Sequence, residues 1–370
     1  MTGRRVAIVG AGIVGCLIAR ELAAADSDAE IEVLDRDLIG SGTTRRSAGL
    51  SLARGATPVT RQMSAFSHRY YADLKASHPH LPIYPLGARL IMEGTDDPIE
   101  AGYLPDLASP AEVSPESGLR QDALAREITW PEQARAWRLA GCHYADVYAV
   151  AQALAALARP RVRFREGVEV TGLTAGDSWV TLHCGSGEHL TADQVVLAPG
   201  PWLAAPAWRE LVEPLGLRVK KIVAMHIEQA PAAGDELIIF ESEDAFLLPL
   251  AHRGHWLFSY TAAQWDVDPD KLAAGPGLSA GDVEAARSCL RRYSPALAEA
   301  CGSGRVCCDA YSPSREPVVC ALDQAGRIAF AGAANGSGYR LGPAIAAQAV
   351  ELLTRNESRS QGASGDHLRV

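Results

Sequence analysis

The residues best suited to chemistry stand near the start of the chain, where three glycines follow an apolar run. Gly10, Gly12 and Gly15 form a GxGxxG motif between the apolar residues 6–9 and a helical pattern. The first glycine of such a motif permits a tight turn, the second lets backbone N–H groups approach a pyrophosphate, and the third lets helix and strand pack closely. Asp35 ends the next apolar run, where a carboxylate can accept a hydrogen bond from a ribose hydroxyl. The pattern predicts a strand–helix–strand unit that binds a dinucleotide.

A secretory signal is the alternative interpretation of the same residues. Arg4 and Arg5 precede an apolar run, and residues 13–16 resemble a lipoprotein cleavage site. A signal peptide, however, does not need glycines at this spacing or a carboxylate after a second strand. No other apolar run approaches the roughly 18 residues that span a bilayer. We therefore expect a cytoplasmic protein without a transmembrane segment.

Composition excludes several other classes of protein. The chain has 370 residues, enough for about two domains, and its formal net charge of −9 argues against a nucleic-acid partner. Its eight cysteines form no CxxC pair, which argues against a zinc site and a thioredoxin-like motif and is consistent with reduced thiols in the cytoplasm. We find neither a metal-ligand cluster nor a nucleophile with Ser/His/Asp spacing, so no metal is expected.

The order of elements predicts an α/β fold with two sheets. Residues 4–40 follow the pattern of a strand, a helix and a strand, and a second strand–glycine–helix junction lies at residues 327–353. Several short strands follow one another between residues 217 and 260 without intervening helices, which is typical of an antiparallel sheet in a second domain. We therefore predict a Rossmann-like cofactor-binding domain and a second domain with an antiparallel or mixed β-sheet for the substrate.

The predicted domains are discontinuous. The cofactor domain is expected at residues 1–78, 140–215 and 305–355, and the substrate domain at residues 79–139 and 216–304. The polar residues 356–370 are expected to form a flexible tail.

Four motifs resemble, in their order along the chain, those of the D-amino-acid oxidase and sarcosine/glycine oxidase superfamily of FAD flavoproteins. They are the N-terminal GxGxxG with Asp35, the glycine- and hydroxyl-rich loop at residues 40–49, the strand at residues 195–202, and residues 332–344. Together they span almost the whole chain, and the ordered set is more specific than GxGxxG alone. The resemblance implies an FAD domain that is discontinuous in sequence and a mixed sheet that lies over the flavin.

All four motifs are expected to contribute cofactor contacts. The expected set is Gly10, Gly12, Ile13, Val14, Gly15, Asp35, Arg36, Ser41, Thr43, Thr44, Arg46, Ser47, Val168, Gly200, Trp202, Gly336, Ser337, Gly338, Tyr339, Arg340 and Leu341. The hydroxyl groups of the loop at residues 40–49 either contact the cofactor or satisfy the loop's own backbone. We expect non-covalent FAD, with a covalent link at Cys307 or Cys308 as the less favoured alternative.

Arginine and tyrosine residues decide the expected substrate class. Arg340 stands where sarcosine-oxidase-like sequences place a cation that binds the substrate carboxylate, and a guanidinium suits a planar anion. Arg54 is a second candidate, with an ordinary solvated charge as its alternative. Tyr339, Tyr311 and Tyr260 are expected to shape the pocket, although Tyr311 stands where many members of the superfamily have another arginine.

The expected function is FAD-dependent oxidation of the C–N bond of a small-molecule amine or amino acid. Hydride transfer to flavin N5 would give an imine that water hydrolyses, and O2 or another acceptor would take the electrons. The strand at residues 256–260 lacks the lysine that assists reaction with oxygen in sarcosine-oxidase-like enzymes, which leaves a dehydrogenase open. The alternatives are a 2-hydroxy-acid or polyol dehydrogenase and, from another class, a non-catalytic flavin-binding subunit. His143, His226 and His255 are expected to be structural rather than catalytic.

Overall fold

The computed structural model describes residues 3–93, 99, 102–113, 128–275 and 277–365, with side chains as far as residue 355. The described residues form ten α-helices and seventeen strands in three sheets. The strands are β1 (Arg5–Val9), β2 (Glu30–Leu34), β3 (Ile83–Met92), β4 (Ala111–Val113), β5 (Arg135–Ala145), β6 (Val162–Arg165), β7 (Val170–Ala175), β8 (Val180–Cys184), β9 (His189–Ala192), β10 (Gln194–Leu197), β11 (Arg218–Ile227), β12 (Leu237–Phe240), β13 (Ala245–Leu250), β14 (His255–Trp265), β15 (Cys301–Tyr311), β16 (Val318–Ala321) and β17 (Ile328–Gly332). The helices are α1 (Ile13–Ala25), α2 (Thr43–Arg46), α3 (Pro58–Ser77), α4 (Pro105–Ala108), α5 (Val147–Ala158), α6 (Arg209–Val212), α7 (Pro269–Ala274), α8 (Ala280–Arg291), α9 (Pro295–Ala300) and α10 (Gly338–Gly365).

A six-stranded sheet carries the GxGxxG motif. Its order is β16–β17–β10–β1–β2–β6, and all neighbouring strands are parallel except β16 and β17. Val6 and Ile8 pack in the same core as α1 and α10, whereas Ala7 and Val9 face the small sheet β7–β8–β9, so both faces of β1 are covered. Because parallel strands end at one edge of a sheet, the loops after β1, β2, β10 and β17 meet there and can surround a ligand.

Gly15 lets α1 pack directly on the turn that follows β1. A Cβ atom at Gly15 would lie 1.9 Å from the carbonyl oxygen of Gly10. Any side chain larger than hydrogen would therefore push the helix away from the strand, as the motif predicts. The N-terminus of α1 is thereby held at the carboxyl edge of the sheet.

An eight-stranded mixed sheet forms the other half of the molecule. Its order is β15–β11–β14–β13–β12–β3–β5–β4, and every pair is antiparallel except β12 and β3. Successive side chains of a strand point to opposite faces. On β14, Phe258 packs in a core with α8 and α9, whereas Ser259 and Thr261 point to the opposite face.

The observed elements confirm the predicted α/β fold class with a parallel and a mixed sheet. Helix α3 begins with a capping box formed by Thr57 and Thr60, and Asp146 caps α5 by accepting a hydrogen bond from Ala149 N at 3.2 Å. The predicted domain boundaries at residues 140 and 305 fall inside β5 and β15, and the division into domains stays a prediction.

The residues expected to form a flexible tail begin within helix α10, and their flexibility stays a prediction. Helix α10 continues to Gly365, and residues 366–370 lie outside the described part of the chain. No glycine or proline stands between residue 355 and Gly362 to end the helix.

Candidate active site

A cavity of about 560 Å³ lies where the carboxyl edge of the six-stranded sheet meets one face of the eight-stranded sheet. This volume is typical of a site for a small molecule or cofactor. Gly10 and Asp35 line it on the side of the parallel sheet, and Ile222, Ser259 and Thr261 line it on the side of the mixed sheet. The fold therefore brings the GxGxxG motif and Asp35 to a cavity whose other wall is the mixed sheet.

The turn after β1 has the shape of a phosphate cradle. Gly10 has a φ of +106°, and a Cβ atom there would lie 2.3 Å from the carbonyl oxygen of Ala198. Gly12 precedes the first turn of α1, whose N–H groups have no partners within the helix. The N–H of Ile13 donates to Thr44 Oγ1 at 3.0 Å, which ties the loop after β2 to this turn.

Asp35 lies beside the cradle at the end of β2. Its Oδ2 accepts a hydrogen bond from Ala11 N at 2.7 Å, and its Oδ1 accepts one from Asp37 N at 2.9 Å. Burial raises the pKa of Asp35 and outweighs these two hydrogen bonds, which favour the charged form. The carboxylate is thus oriented by the backbone at the cavity wall.

Arg36 and Trp202 are both held by Asp270, which sequence reasoning missed. Arg36 forms an ion pair with Asp270, Trp202 Nε1 donates to Asp270 Oδ1 at 2.8 Å, and the Arg36 guanidinium lies 4.9 Å from the centroid of the Trp202 ring. Arg36 and Trp202 line the cavity as predicted, but their polar groups are engaged with α7. Asp270 follows Arg36 by more than 200 residues, so no local signal in the sequence points to the contact.

The hydroxyl groups of the loop at residues 40–49 line the cavity, and several of them also hold the loop together. Thr43 Oγ1 donates to the carbonyl oxygen of Cys308 at 3.1 Å, and Ser47 Oγ accepts from Gly49 N at 3.0 Å. Thr44 Oγ1 accepts a hydrogen bond from Ile13 N at the start of α1. Ser41 and Arg46 also line the cavity. Both interpretations of this loop therefore remain compatible with its geometry.

Arg305 on β15 fixes this loop from the mixed sheet. Its Nε donates to the carbonyl oxygen of Arg46 at 3.0 Å and its Nη2 donates to that of Ser47 at 3.4 Å. Its Nη1 donates to His226 Nε2 at 2.9 Å. Burial, followed by the charge of Arg305, lowers the pKa of His226 to about 4, so the ring is neutral and can accept. Arg305 was not predicted, because its partners lie on distant segments.

Arg340, at the start of α10, is a cation that forms no ion pair within the described residues, and Asp244 and Glu241 favour its charged form only from beyond ion-pair distance. Its Nη2 donates to Ser337 Oγ at 2.5 Å, and its Nε is buried with no hydrogen-bond partner among the described residues. Burial, with a smaller contribution from nearby Arg54, lowers the pKa of Arg340 to about 10, so the guanidinium remains charged at neutral pH. The side chain lines the cavity, as predicted.

Arg54 lines the same end of the cavity but is neutralised. It forms an ion pair with Glu241 and lies 5.5 Å from the centroid of the Tyr103 ring, whose hydroxyl donates to Glu241 Oε2 at 3.3 Å. Glu241 and Tyr103 were not predicted. Because Glu241 occupies the guanidinium of Arg54, the guanidinium of Arg340 is better placed to bind an anion at this end of the cavity.

The predicted tyrosines occupy three different environments. Tyr311 lines the cavity on β15, and Tyr339 lines it while stacking on Tyr71 with ring centroids 4.5 Å apart. Tyr260 does not line the cavity, and its hydroxyl donates to the carbonyl oxygen of Asp282 at 3.1 Å on the opposite face of the sheet. The period-two alternation along β14 gives this result, because Ser259 and Thr261 take the cavity side.

The remaining residues that were expected to contact the cofactor form two groups, one that lines the cavity and one that packs in the interior of the protein. Val14, Val168, Gly200, Gly336 and Gly338 line the cavity. Gly15 is a packing residue of α1, as described above, and the buried Leu341 side chain lies in the hydrophobic core.

The two adjacent cysteines lie on opposite faces of β15. Cys307 lines the cavity, and burial raises the pKa of its thiol. Cys308 packs in the core behind the sheet. Asp309 and Tyr311 share the cavity face with Cys307, and burial raises the pKa of Asp309 to about 6.

The three histidines named in the sequence analysis, His143, His226 and His255, do not line the cavity. The described residues contain no group of three or more side chains that could bind a metal ion. His143 is buried beside Tyr71 and Tyr339, and the His226 and His255 rings pack on each other with centroids 4.6 Å apart. Over the described part of the chain, no helix combines the length and apolar character needed to cross a bilayer.

Comparison with solved structures shows the same fold in several dehydrogenases and oxidases. L-Proline dehydrogenase from P. horikoshii is 17% identical, with a TM-score of 0.73 over 95% of this chain and 94% of that chain. Glycine oxidase from Geobacillus kaustophilus is 16% identical, with a TM-score of 0.72 over 95% of both chains. L-α-Glycerophosphate oxidase from Mycoplasma pneumoniae, solved with FAD bound, is 15% identical, with a TM-score of 0.73 over 96% of this chain and 95% of that chain.

Family membership rests on the sequence. No curated protein sequence shows significant similarity to the chain. The family described as DAO, FAD dependent oxidoreductase, matches residues 5–352. Since this match covers nearly the whole chain and includes the cradle and the start of α10, the chain belongs to the DAO family of FAD-dependent oxidoreductases.

Proposed function

We propose that this oxidoreductase oxidises the C–N bond of a small amine or amino acid that carries a carboxylate. The observation that carries the proposal is Arg340, a charged guanidinium on the cavity wall that forms no ion pair with any described residue. A buried cation of this kind is stabilised by an anionic ligand, and a guanidinium binds a carboxylate in two-point geometry. The likeness to L-proline dehydrogenase and glycine oxidase supports an amino acid as that ligand.

The cavity fits the FAD that the family uses. Gly10 and Gly12 leave open the space that a Cβ atom would narrow, the first turn of α1 offers N–H groups, and Asp35 is oriented beside them. We propose that this end holds the pyrophosphate and ribose, and that Thr43, Ser47 and the turn at residues 336–338 contact the flavin. Cys307 lies on the cavity wall, but its buried, protonated thiol favours a non-covalent cofactor.

The residues of this chain would bind and orient the substrate. Bound FAD supplies the acceptor for the hydride that leaves the carbon next to nitrogen. Arg340 holds the carboxylate, Tyr311 and Tyr339 limit the space around the substrate, and Ile222 and Ala224 exclude water from the reacting carbon. Water then hydrolyses the imine product without requiring a protein base.

The electron acceptor is proposed to be O2 or another molecule. The strand β14 contributes Ser259 and Thr261 to the cavity and no lysine. Lys221 on the neighbouring strand forms a buried ion pair with Asp282 at 2.7 Å and is not available to the cavity.

We also propose a cytoplasmic location, which is supported by eight free cysteines in the described part of the chain.

The products of turnover test the proposal. Purified protein loaded with FAD is mixed with single amino acids and an electron-accepting dye, and ammonia or free amine is measured together with the keto acid or aldehyde. We expect one nitrogen product for each two-electron reduction. Oxidation of 2-hydroxy acids or glycerol phosphate without any nitrogen product would contradict the proposal and favour C–O oxidation, which the likeness to a glycerophosphate oxidase keeps as the second candidate.

A further inference from the structure

The side chain of Asp270 joins two loops that leave different strands of the parallel sheet. Arg36 follows β2, and its Nη1 donates to Asp270 Oδ2 at 3.4 Å. Trp202 follows β10, and its Nε1 donates to Asp270 Oδ1 at 2.8 Å. The Arg36 guanidinium also lies 4.9 Å from the centroid of the Trp202 ring, within the range of a cation–π contact. The three side chains form one network, which is named the strap.

The strap crosses the carboxyl end of β1. In the parallel sheet β10 and β2 are the two neighbours of β1, so these strands lie two strand spacings, roughly 10 Å, apart. Arg36 stands just beyond the end of β2, and Trp202 follows β10 after a short turn at the same edge of the sheet. Because their side chains meet, the contact spans the place where the turn at Gly10 begins. Arg36 and Trp202 both line the cavity.

Two further contacts hold the strap in place. A Cβ atom on Gly42 would lie 3.0 Å from Trp202 Cη2, so the indole packs directly on the loop at residues 40–49. Asp270 is fixed by α7, whose Leu272 packs against the hydrophobic cores of both the mixed sheet and the parallel sheet. The strap is therefore held from the half of the molecule that does not carry the glycine motif.

The ion pair of the strap lies at the protein surface. The hydrogen bond from Arg36 holds the pKa of Asp270 below its usual range and outweighs partial burial, which acts in the opposite direction. The side chains of Arg36 and Asp270 are 42% and 59% exposed, and an exposed ion pair contributes little to the stability of a fold. A contact of this modest strength can open to admit a ligand and close again over it.

We propose that the strap closes over the pyrophosphate of bound FAD and that Asp270 is the positioning residue that keeps it closed. This inference rests on the proposed position of the pyrophosphate at the turn after β1. It adds to that proposal a residue from the mixed-sheet half, which acts on FAD through Arg36 and Trp202. Because the strap spans the cradle instead of forming it, Asp270 controls mainly the rate at which FAD leaves.

The rate of FAD release from the loaded protein tests the proposal in the absence of substrate. Bound radiolabelled FAD is chased with excess unlabelled FAD, and the label that stays bound is measured over time. Asp270→Asn keeps the side-chain shape and removes the charge, and Asp270→Ala removes both hydrogen bonds. We expect FAD to leave each variant roughly 3- to 30-fold faster, as for one exposed ion pair and one further hydrogen bond, with association as fast as in wild type or faster.

Asp266→Asn is the matched control. Asp266 pairs with Arg218 Nη2 at 2.6 Å, and the Arg218 guanidinium lies 4.8 Å from the centroid of the Trp265 ring. This trio repeats the residue types of the strap, but none of its three side chains lines the cavity. FAD should therefore leave D266N at the wild-type rate. Added salt should accelerate release less in D270A than in wild type, because salt screens an exposed ion pair that the variant lacks.

Two results would overturn the assignment. The first is unchanged FAD release from D270N and D270A when their thermal unfolding matches that of wild type. The second is equal acceleration in D270N and D266N, which would indicate general loosening of the protein. If D270A fails to fold, Asp270→Ser gives the same comparison beside D270N. No substrate takes part, so failure of the strap leaves the proposed C–N oxidation intact, whereas turnover of 2-hydroxy acids alone would overturn that reaction and leave the release rates unchanged.

Discussion

At the scale of single residues, the charge of Arg340 distinguishes the substrate end of the cavity. Arg54 is equally close to that end, but Glu241 and Tyr103 already occupy its guanidinium. Arg340 donates one hydrogen bond to the Ser337 hydroxyl and keeps a buried Nε without a partner in the described structure. An uncompensated cation at a cavity wall is costly in the free protein, so the arrangement favours an anionic ligand.

Replacing Arg340 by alanine should damage substrate binding more than cofactor binding. Loss of one charge-assisted pair costs roughly 1.5–3 kcal/mol, and we expect KM to rise by about 10²-fold for a carboxylate substrate. Steady-state kinetics and the flavin content of the purified variant measure the two effects separately. Arg340→Lys is the control that keeps the charge, and it should recover part of the affinity. Unchanged kinetics in the alanine variant would remove Arg340 from the site.

At the scale of elements, the turn between β1 and α1 determines whether the cofactor can bind. Gly10 combines a φ of +106° with a Cβ position only 2.3 Å from the Ala198 carbonyl oxygen. Either feature alone excludes a side chain without a shift of the backbone. The loop after β10 is therefore packed against the cradle, and a change at Gly10 moves both.

Gly10→Ala should lower both stability and FAD affinity. We expect a loss of about 1–3 kcal/mol in the free energy of unfolding from backbone strain, together with at least a tenfold weaker FAD complex, roughly 1.4 kcal/mol. Thermal unfolding and flavin fluorescence titration provide the two readouts. Gly187→Ala is the matched control, since Gly187 also has a positive φ, +85°, but nothing lies within 4 Å of its Cβ position. Equal FAD affinity in both variants would show that the cradle does not bind the cofactor.

Local patterns predicted the elements better than they predicted which side chains face the cavity. The GxGxxG turn and the helix that begins just after Gly12 follow from interactions within a few residues, and the structure contains both. Tyr260 was misplaced because a strand presents alternate residues to opposite faces, and a one-residue difference in register decides the face. Asp270 pairs with Arg36 and Arg305 binds the carbonyl oxygen of Arg46, each more than 200 residues away, so only the assembled fold shows their roles.

At the scale of the whole molecule, buried histidines make stability depend on pH. His143 is 8% exposed, packs edge-to-face against the stacked rings of Tyr71 and Tyr339, and has a buried Nε2 without a partner in the described structure. Burial, with a smaller contribution from His68, lowers the pKa of His143 to about 4 from an ordinary value of 6.5. The neutral ring is therefore part of the folded state, and protonation favours unfolding.

The free energy of unfolding should fall as the pH is lowered from about 6.5 to 4. In this window the unfolded state binds more protons at His143 than the folded state, which corresponds to a loss of up to roughly 3 kcal/mol. Asp309 acts in the opposite sense, because its pKa of about 6 favours the protonated folded form. His143→Phe removes the histidine contribution, so urea unfolding at several pH values should show a flatter profile for this variant. An unchanged slope would show that His143 is already charged or solvated in the folded protein.

The visible spectrum of the FAD-loaded protein, recorded anaerobically before and after addition of amino acids and then of 2-hydroxy acids, tests the central claim most directly. We predict that at least one amino acid bleaches the visible absorbance of the bound oxidised flavin, and that 2-hydroxy acids do not. Return of the colour in air would identify O2 as an acceptor, and persistent bleaching would identify a dehydrogenase. Bleaching by 2-hydroxy acids alone, or a protein that cannot take up FAD, would contradict the account.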